Sequence, residues 1–66
     1  MELDTKALRL VMAEKRFNVA SLARAAGVSA AALNLWIHHG TRPRIDKLGA
    51  LAAALGVSVT EIIKEG

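Results

Sequence analysis

The sequence contains no cysteine and no tyrosine, and it has only one tryptophan, one phenylalanine and one proline. Without cysteine the chain can form neither disulfide bonds nor thiolate metal sites, which fits a reducing compartment. Its 66 residues are enough for one domain, so we expect a single domain over residues 1–66. A chain of this length has little room for a large enclosed pocket, and we expect no small-molecule substrate.

Long apolar runs are also missing. The longest stretches without a charged residue are Ala25–Thr41 and Leu48–Thr60, and glycine interrupts both. Neither has the roughly 18 consecutive apolar residues of a membrane-spanning helix. The sequence opens Met1–Asp4 without the basic segment of a signal peptide. We therefore expect no membrane association and a location in the cytoplasm.

Acidic residues are absent from the middle of the chain. Nine Lys and Arg residues against six Asp and Glu residues give a net charge of +3. Between Lys15 and Ile45 there are five basic residues and no acidic one, whereas the flanking segments together are mildly acidic. This basic block indicates a face that binds a polyanion, and an unevenly charged, solvated surface is the alternative.

Alanine and leucine are abundant, and no segment shows the alternation of a strand. The sequence therefore predicts an all-α fold, a compact bundle of about five short helices. Asp4 or Thr5 can cap the first helix, which runs toward Arg16. The next three predicted helices cover residues 19–26, 30–38 and 45–55.

The fifth predicted helix has the clearest start signal. Ser58 and Glu61 have the spacing of a capping box. We therefore expect Val59, Ile62 and Ile63 to be helical and largely turned toward the core.

Three smaller expectations concern apolar residues and glycine. Leu3 and Leu10 lie off the main apolar face, and we expect both to be exposed. Gly49 interrupts the fourth helix at a cost of roughly 1 kcal/mol relative to alanine, and a close approach of another helix is one explanation.

The segment Val19–His38 predicts two helices joined at Gly27, the pattern of a helix-turn-helix. Ala23 is small enough for the helices to cross closely, and Gly27 can adopt the positive φ of a sharp turn. Ser29 can cap the second of these helices and leave its first turn exposed, where it can enter a DNA major groove. The apolar residues expected to fix the crossing are Leu22, Val28, Leu33 and Trp36.

This pattern resembles a known family, the lambda repressor-like (Cro and repressor, XRE-type) helix-turn-helix DNA-binding domains. The resemblance covers residues 5–64 and implies a five-helix fold, homodimeric binding to double-stranded operator DNA, and a role as a transcriptional regulator, often of phage origin. It implies action in the cytoplasm of a bacterium or phage-infected host. The matching text is Asn18–Ser29 (NVASLARAAGVS), then Leu33, Trp36 and Gly40, then Arg42–Ile63 (RPRIDKLGALAAALGVSVTEII).

The chain departs from the family pattern at several positions. Val19 stands where the family often has a glutamine that contacts a phosphate, and Ala30–Ala32 stand where polar residues usually contact bases. Met12 and Ile37 occupy positions that often carry an Arg–Glu pair. Exchange of a buried ion pair for apolar side chains can be neutral or stabilising, so we expect the fold to tolerate it.

The resemblance also assigns roles to individual residues. Base contacts fall on Ala30, Ala31, Asn34 and Leu35. Contacts with the DNA backbone fall on Asn18, Val19, Ser29, Thr41, Arg42 and Arg44, with Val19 acting through its backbone N–H. Dimer contacts fall on Pro43, Ser58 and Val59.

No residue pattern indicates catalysis, a cofactor or a metal site. The three serines are placed to cap or turn, and the basic block offers no carboxylate to act as a general base. His38 and His39 are adjacent, so they face different directions on a helix, and no third ligand is evident. We therefore expect a protein that is not an enzyme.

Two other interpretations remain. The alanine-rich and nearly uncharged third helix, residues 30–38, also suits a protein-interaction module on the same fold, such as an antitoxin or an assembly adaptor with weak or non-specific DNA binding. A truncated or redesigned DNA-binding domain is the other.

Overall fold

The computed structural model describes residues 2–64. It has four α-helices, which are α1 (Thr5–Lys15), α2 (Val19–Ala26), α3 (Ala30–His38) and α4 (Ile45–Leu55). A 3-10 turn over Val59–Glu61 follows α4. Two short strands, β1 (Glu2–Leu3) and β2 (Ile63–Lys64), form an antiparallel pair that joins the two ends of the described chain.

Side-chain caps start the first three helices where the sequence predicts them. The Asp4 carboxylate accepts a hydrogen bond from the backbone N–H three residues on at 3.0 Å, and the Ser29 hydroxyl does the same at the start of α3. At α2, Asn18 and Ser21 accept from each other's backbone N–H groups at 2.8 and 2.9 Å. These bonds satisfy donors that a helix start otherwise leaves unpaired.

Left-handed residues end two of these helices. Gly27 closes α2 at φ 73°, and its N–H donates to backbone carbonyls of the last turn. Arg16 closes α1 with φ 60°, the one positive φ of a non-glycine residue in the described chain. Because a Cβ atom is disfavoured in this region, Arg16 stores local strain.

The core receives side chains from all four helices and from Leu3 and Ile62, near the two ends of the described chain. Trp36 is only 9% exposed, as its predicted core position requires. Met12 and Ile37, the two positions that often carry an ion pair in the family that the sequence resembles, are both buried. The side chains with almost no exposed surface are Leu8, Leu22, Leu33, Leu48, Leu51 and Ile62.

The prediction of a fifth helix is wrong, although the all-helical class is right. Ser58 and Glu61 do form the predicted capping box, but it starts a 3-10 turn of three residues. Ile62 leaves the helical region at φ −120° and ψ 8°, and Ile63 belongs to β2. The Ile62 carbonyl accepts from the Asp4 N–H at 2.8 Å, so pairing with the N-terminal segment replaces a longer helix.

The expectation of no strands is also wrong, for a related reason. Each strand has only two residues, too few for alternation to be visible in the sequence. Leu3 opposes Ile63 in the pair and is 6% exposed, so the expectation that Leu3 is exposed fails, whereas Leu10 is 59% exposed as expected. Gly49 is not at a close contact, since a Cβ added there would meet nothing within 4 Å.

No single helix within residues 2–64 is long and apolar enough to cross a membrane. Helices α2 and α3 pass that test of length and composition only when they are taken together, and they are bent by 117° at the break between them.

Candidate nucleic-acid interface

The bend between α2 and α3 is the geometry of a helix-turn-helix. The two helices meet at 117°, and the three residues 27–29 connect them. Helix-turn-helix motifs cross at about 90–120° through a short turn that often contains glycine. Leu22 and Leu33 are fully buried and Ala23 is 3% exposed, so packing holds the angle.

Helix α3 has one buried side and one exposed side. Leu33, Trp36 and Ile37 face the core. The four predicted base-contacting residues are all exposed, and Leu35 keeps 47% of its surface accessible. Their spacing along the helix places them on one side, so they form a continuous outward surface. We call this surface, Ala30, Ala31, Asn34 and Leu35, the α3 face.

The start of α2 offers backbone groups to a phosphate. Asn18 is exposed, and Val19 is half-buried with its side chain packed against the core. A helix N-terminus presents N–H donors and a partial positive charge, which favour an anion. The Val19 backbone is therefore available for the predicted contact, although its side chain is not.

The loop between α3 and α4 carries two exposed cations. Thr41, Arg42 and Arg44 are exposed, and Pro43 is half-buried. Arg44 Nε lies 3.9 Å from Asp46 Oδ1, but these side chains are 88% and 68% exposed. A surface pair of this kind contributes only about 0–1 kcal/mol, so it leaves the guanidinium free to meet a phosphate.

The loop borders a shallow cleft of about 170 Å³. Arg42 and Pro43 of the loop line it together with the paired Glu2 and Lys64 and with Trp36 of α3. The cleft thus lies between the loop and the strand pair. It holds no enclosed volume suited to a drug-sized ligand.

The predicted dimer residues differ in how accessible they are. Ser58 is exposed, whereas Pro43 and Val59 are half-buried and Val59 packs against the core. Sequence reasoning missed Ile45, which follows the loop and is 71% exposed. No local signal marked its exposure, because the apolar Leu48 and Ala52 follow it at helical spacing.

Sequence reasoning also missed a contact between α1 and α3. Arg9 Nη2 lies 3.1 Å from His38 Nδ1, at the end of α3. No local pattern relates residues 29 positions apart. His38 therefore has a neighbour other than His39, and no group of three potential metal-ligating side chains occurs within residues 2–64.

The bent helix pair, its exposed second helix and the cationic loop define a helix-turn-helix domain. A family model for Cro/C1-type HTH DNA-binding domains matches residues 7–64, and the chain belongs to this family. A search of curated proteins gave no match.

Two solved structures of one repressor are similar to the chain. The solution structure of the DNA-binding domain of the P22 c2 repressor has 29% identity and a TM-score of 0.79, covering 89% of this chain and 78% of that one. The crystal structure of the P22 c2 repressor with a synthetic operator has 28% identity and a TM-score of 0.81, covering 97% of both chains.

Proposed function

We propose that the protein is a sequence-specific DNA-binding transcriptional regulator that binds a palindromic operator as a homodimer. The observation that carries the proposal is the 117° helix pair with the exposed α3 face, within a chain that belongs to the Cro/C1-type family. The N-terminal half of α3 enters the major groove. The similar P22 c2 repressor was crystallised with a synthetic operator, which supports duplex DNA as the partner.

Backbone contacts would position α3 on the duplex. Asn18, the Val19 N–H and Ser29 lie at the starts of α2 and α3, where phosphates bind favourably. The 41–44 loop adds the exposed Arg42 and Arg44. The basic block between Lys15 and Ile45, which contains no acidic residue, also favours a polyanionic partner.

A homodimer would place two copies of α3 in successive major grooves. Two-fold symmetry requires half-sites about one helical turn apart, ~34–36 Å. Pro43, Ser58 and Val59 remain the proposed contacts, and the exposed Ile45 adds an apolar surface beside Pro43. Repression would then follow from occupation of a promoter, in the bacterial or phage-infected cytoplasm where the target DNA lies.

The first test is selection of binding sites from a random duplex library at about 0.15 M salt, where non-specific contacts are already weak. The proposal predicts enrichment of a palindrome with half-sites one turn apart. Binding that disappears smoothly with added salt and enriches no motif would contradict sequence-specific regulation.

The second test measures the salt dependence of binding to the selected site. Arg44→Ala should reduce the steepness of log K against log salt by about 0.9 for each subunit, or about 1.8 for the bound homodimer, because each subunit loses one phosphate contact. Lys6→Ala is the matched control, since Lys6 is an exposed cation on α1 outside the basic block. An unchanged slope for Arg44→Ala would remove Arg44 from the interface.

A protein-interaction module is the second candidate function. It is favoured by the exposure of two large apolar side chains, Leu35 on the α3 face and Ile45 at the start of α4. Absence of DNA binding in the selection would favour it over the regulator.

A further inference from the structure

The α3 face has an unusual chemistry for a surface that meets DNA. Three of its four side chains are apolar, and Asn34 is its one hydrogen-bonding group. Leu35 is its longest apolar side chain and is 47% exposed. No lysine, arginine, aspartate or glutamate occurs from Ser29 to His39.

This chemistry limits which bases the α3 face can recognise. Guanine is recognised chiefly by arginine or lysine at O6 and N7, and cytosine by a carboxylate at N4. The α3 face has neither group. His38, the next polar side chain along the helix, is engaged by Arg9 at 3.1 Å.

The groups that are present match the other base pair. Thymine carries a C5-methyl group in the major groove, which apolar side chains contact, and adenine N6 and N7 pair with an asparagine amide. Ala30 and Ala31 are short, so they allow the helix backbone to approach the groove closely. Leu35 is long enough to cover a methyl group from one side.

We infer that the α3 face selects A·T base pairs, with Leu35 and the two alanines contacting thymine methyl groups and Asn34 bonding to adenine. The inference rests on the proposed function, in which α3 lies in the major groove, and it adds which bases α3 contacts there. Specificity then depends largely on shape and methyl burial, and little on hydrogen bonds.

Deoxyuridine provides the test, because it removes the thymine methyl group and leaves every hydrogen-bonding group in place. Each thymine in a half-site of the selected operator is replaced singly, and the dissociation constant is measured. We expect about a four-fold loss of affinity for each contacted thymine, the factor that corresponds to burying one CH₂-sized group. Thymines between the half-sites should show no loss.

Leu35→Ala identifies the side chain responsible. In this variant the penalty for deoxyuridine should disappear at one thymine of each half-site and persist at the others. Leu10→Ala is the matched control, because Leu10 is also an exposed leucine but lies on α1, and it should keep the wild-type pattern. Circular dichroism of both variants establishes that they are folded.

The outcomes separate this inference from the function on which it rests. A specific operator that tolerates deoxyuridine at every position, or that has G·C pairs under α3, would overturn the inference and leave the regulator standing. If Leu35→Ala kept the full wild-type pattern, the assignment of Leu35 would be wrong. Failure to select any site would overturn both.

Discussion

At the scale of single residues, Arg16 has a backbone conformation that is unfavourable for its residue type. It ends α1 in the left-handed region at φ 60°, where the other helix ends of this kind in the described chain have glycine. Its backbone N–H donates to carbonyls of the last turn of α1. The left-handed conformation therefore completes the end of the helix, although it is unfavourable for a residue with a Cβ atom. The residue is exposed, and no core contact compensates the strain.

Arg16→Gly should therefore stabilise the protein by about 0.5–1 kcal/mol, since relief of the left-handed strain exceeds the added freedom of the unfolded chain. Urea denaturation followed by circular dichroism measures the change. Arg16→Ala keeps the Cβ atom and removes the charge, so it separates strain from electrostatics. Equal stabilisation by both variants would mean that charge, and not backbone strain, is responsible.

At the scale of elements, α4 contains a destabilising glycine that no contact in the fold requires. Gly49 lies within the helix, and an added Cβ atom would meet nothing within 4 Å. The helix ends at Gly56 with φ 72°, where glycine is needed. Glycine therefore destabilises the helix at position 49, whereas it is required by the backbone conformation at position 56.

Gly49→Ala should raise the free energy of unfolding by about 0.5–1 kcal/mol through helix propensity. In a domain of this size that corresponds to a rise in Tm of roughly 2–8 °C. Gly56→Ala is the matched control and should lower Tm, because alanine is strained at positive φ. A lower Tm for Gly49→Ala would show a contact at Gly49 that the monomer does not explain.

At the scale of the whole molecule, the core is completed by residues outside the helices. Leu3 is 6% exposed and Ile62 is fully buried, and they belong to opposite ends of the described chain. The backbone bond from the Asp4 N–H to the Ile62 carbonyl holds these ends together at 2.8 Å. The helix bundle and the strand pair should therefore unfold together.

Leu3→Ala should destabilise the protein by about 2–4 kcal/mol, a large part of the stability of so small a domain. Leu10→Ala, at a leucine that is 59% exposed, should change it by no more than about 0.5 kcal/mol. The midpoints of urea denaturation give both values. Similar midpoints for the two variants would contradict the assignment of Leu3 to the core.

What the sequence could predict depended on how far apart the interacting residues are. The caps at Asn18 and Ser29 and the turn at Gly27 are local, so residue type and spacing were enough. The short 3-10 turn that replaces the predicted fifth helix was not predictable in this way. Local signals favoured a longer helix after Ser58, and pairing with the N-terminal residues overrode them.

In the candidate site, too, the local features were predictable from the sequence and the long-range ones were not. The exposure of Asn34 and Leu35 follows from helical periodicity, and the structure shows both on the outer side of α3. The Arg9–His38 contact joins α1 to α3 across 29 positions, and the exposure of Ile45 depends on what the rest of the fold leaves uncovered. The DNA and dimer roles of the site residues stay predictions.

The strand pair also determines how the protein would respond to force. Glu2 opposes Lys64 and Leu3 opposes Ile63, so the chain enters and leaves the fold at the same edge. A tensile load between residues 2 and 64 would act along the inter-strand hydrogen bonds, which run perpendicular to the strands. The bonds would then open one after another, as in a zipper, and Leu3 would be pulled from the core before any helix is loaded.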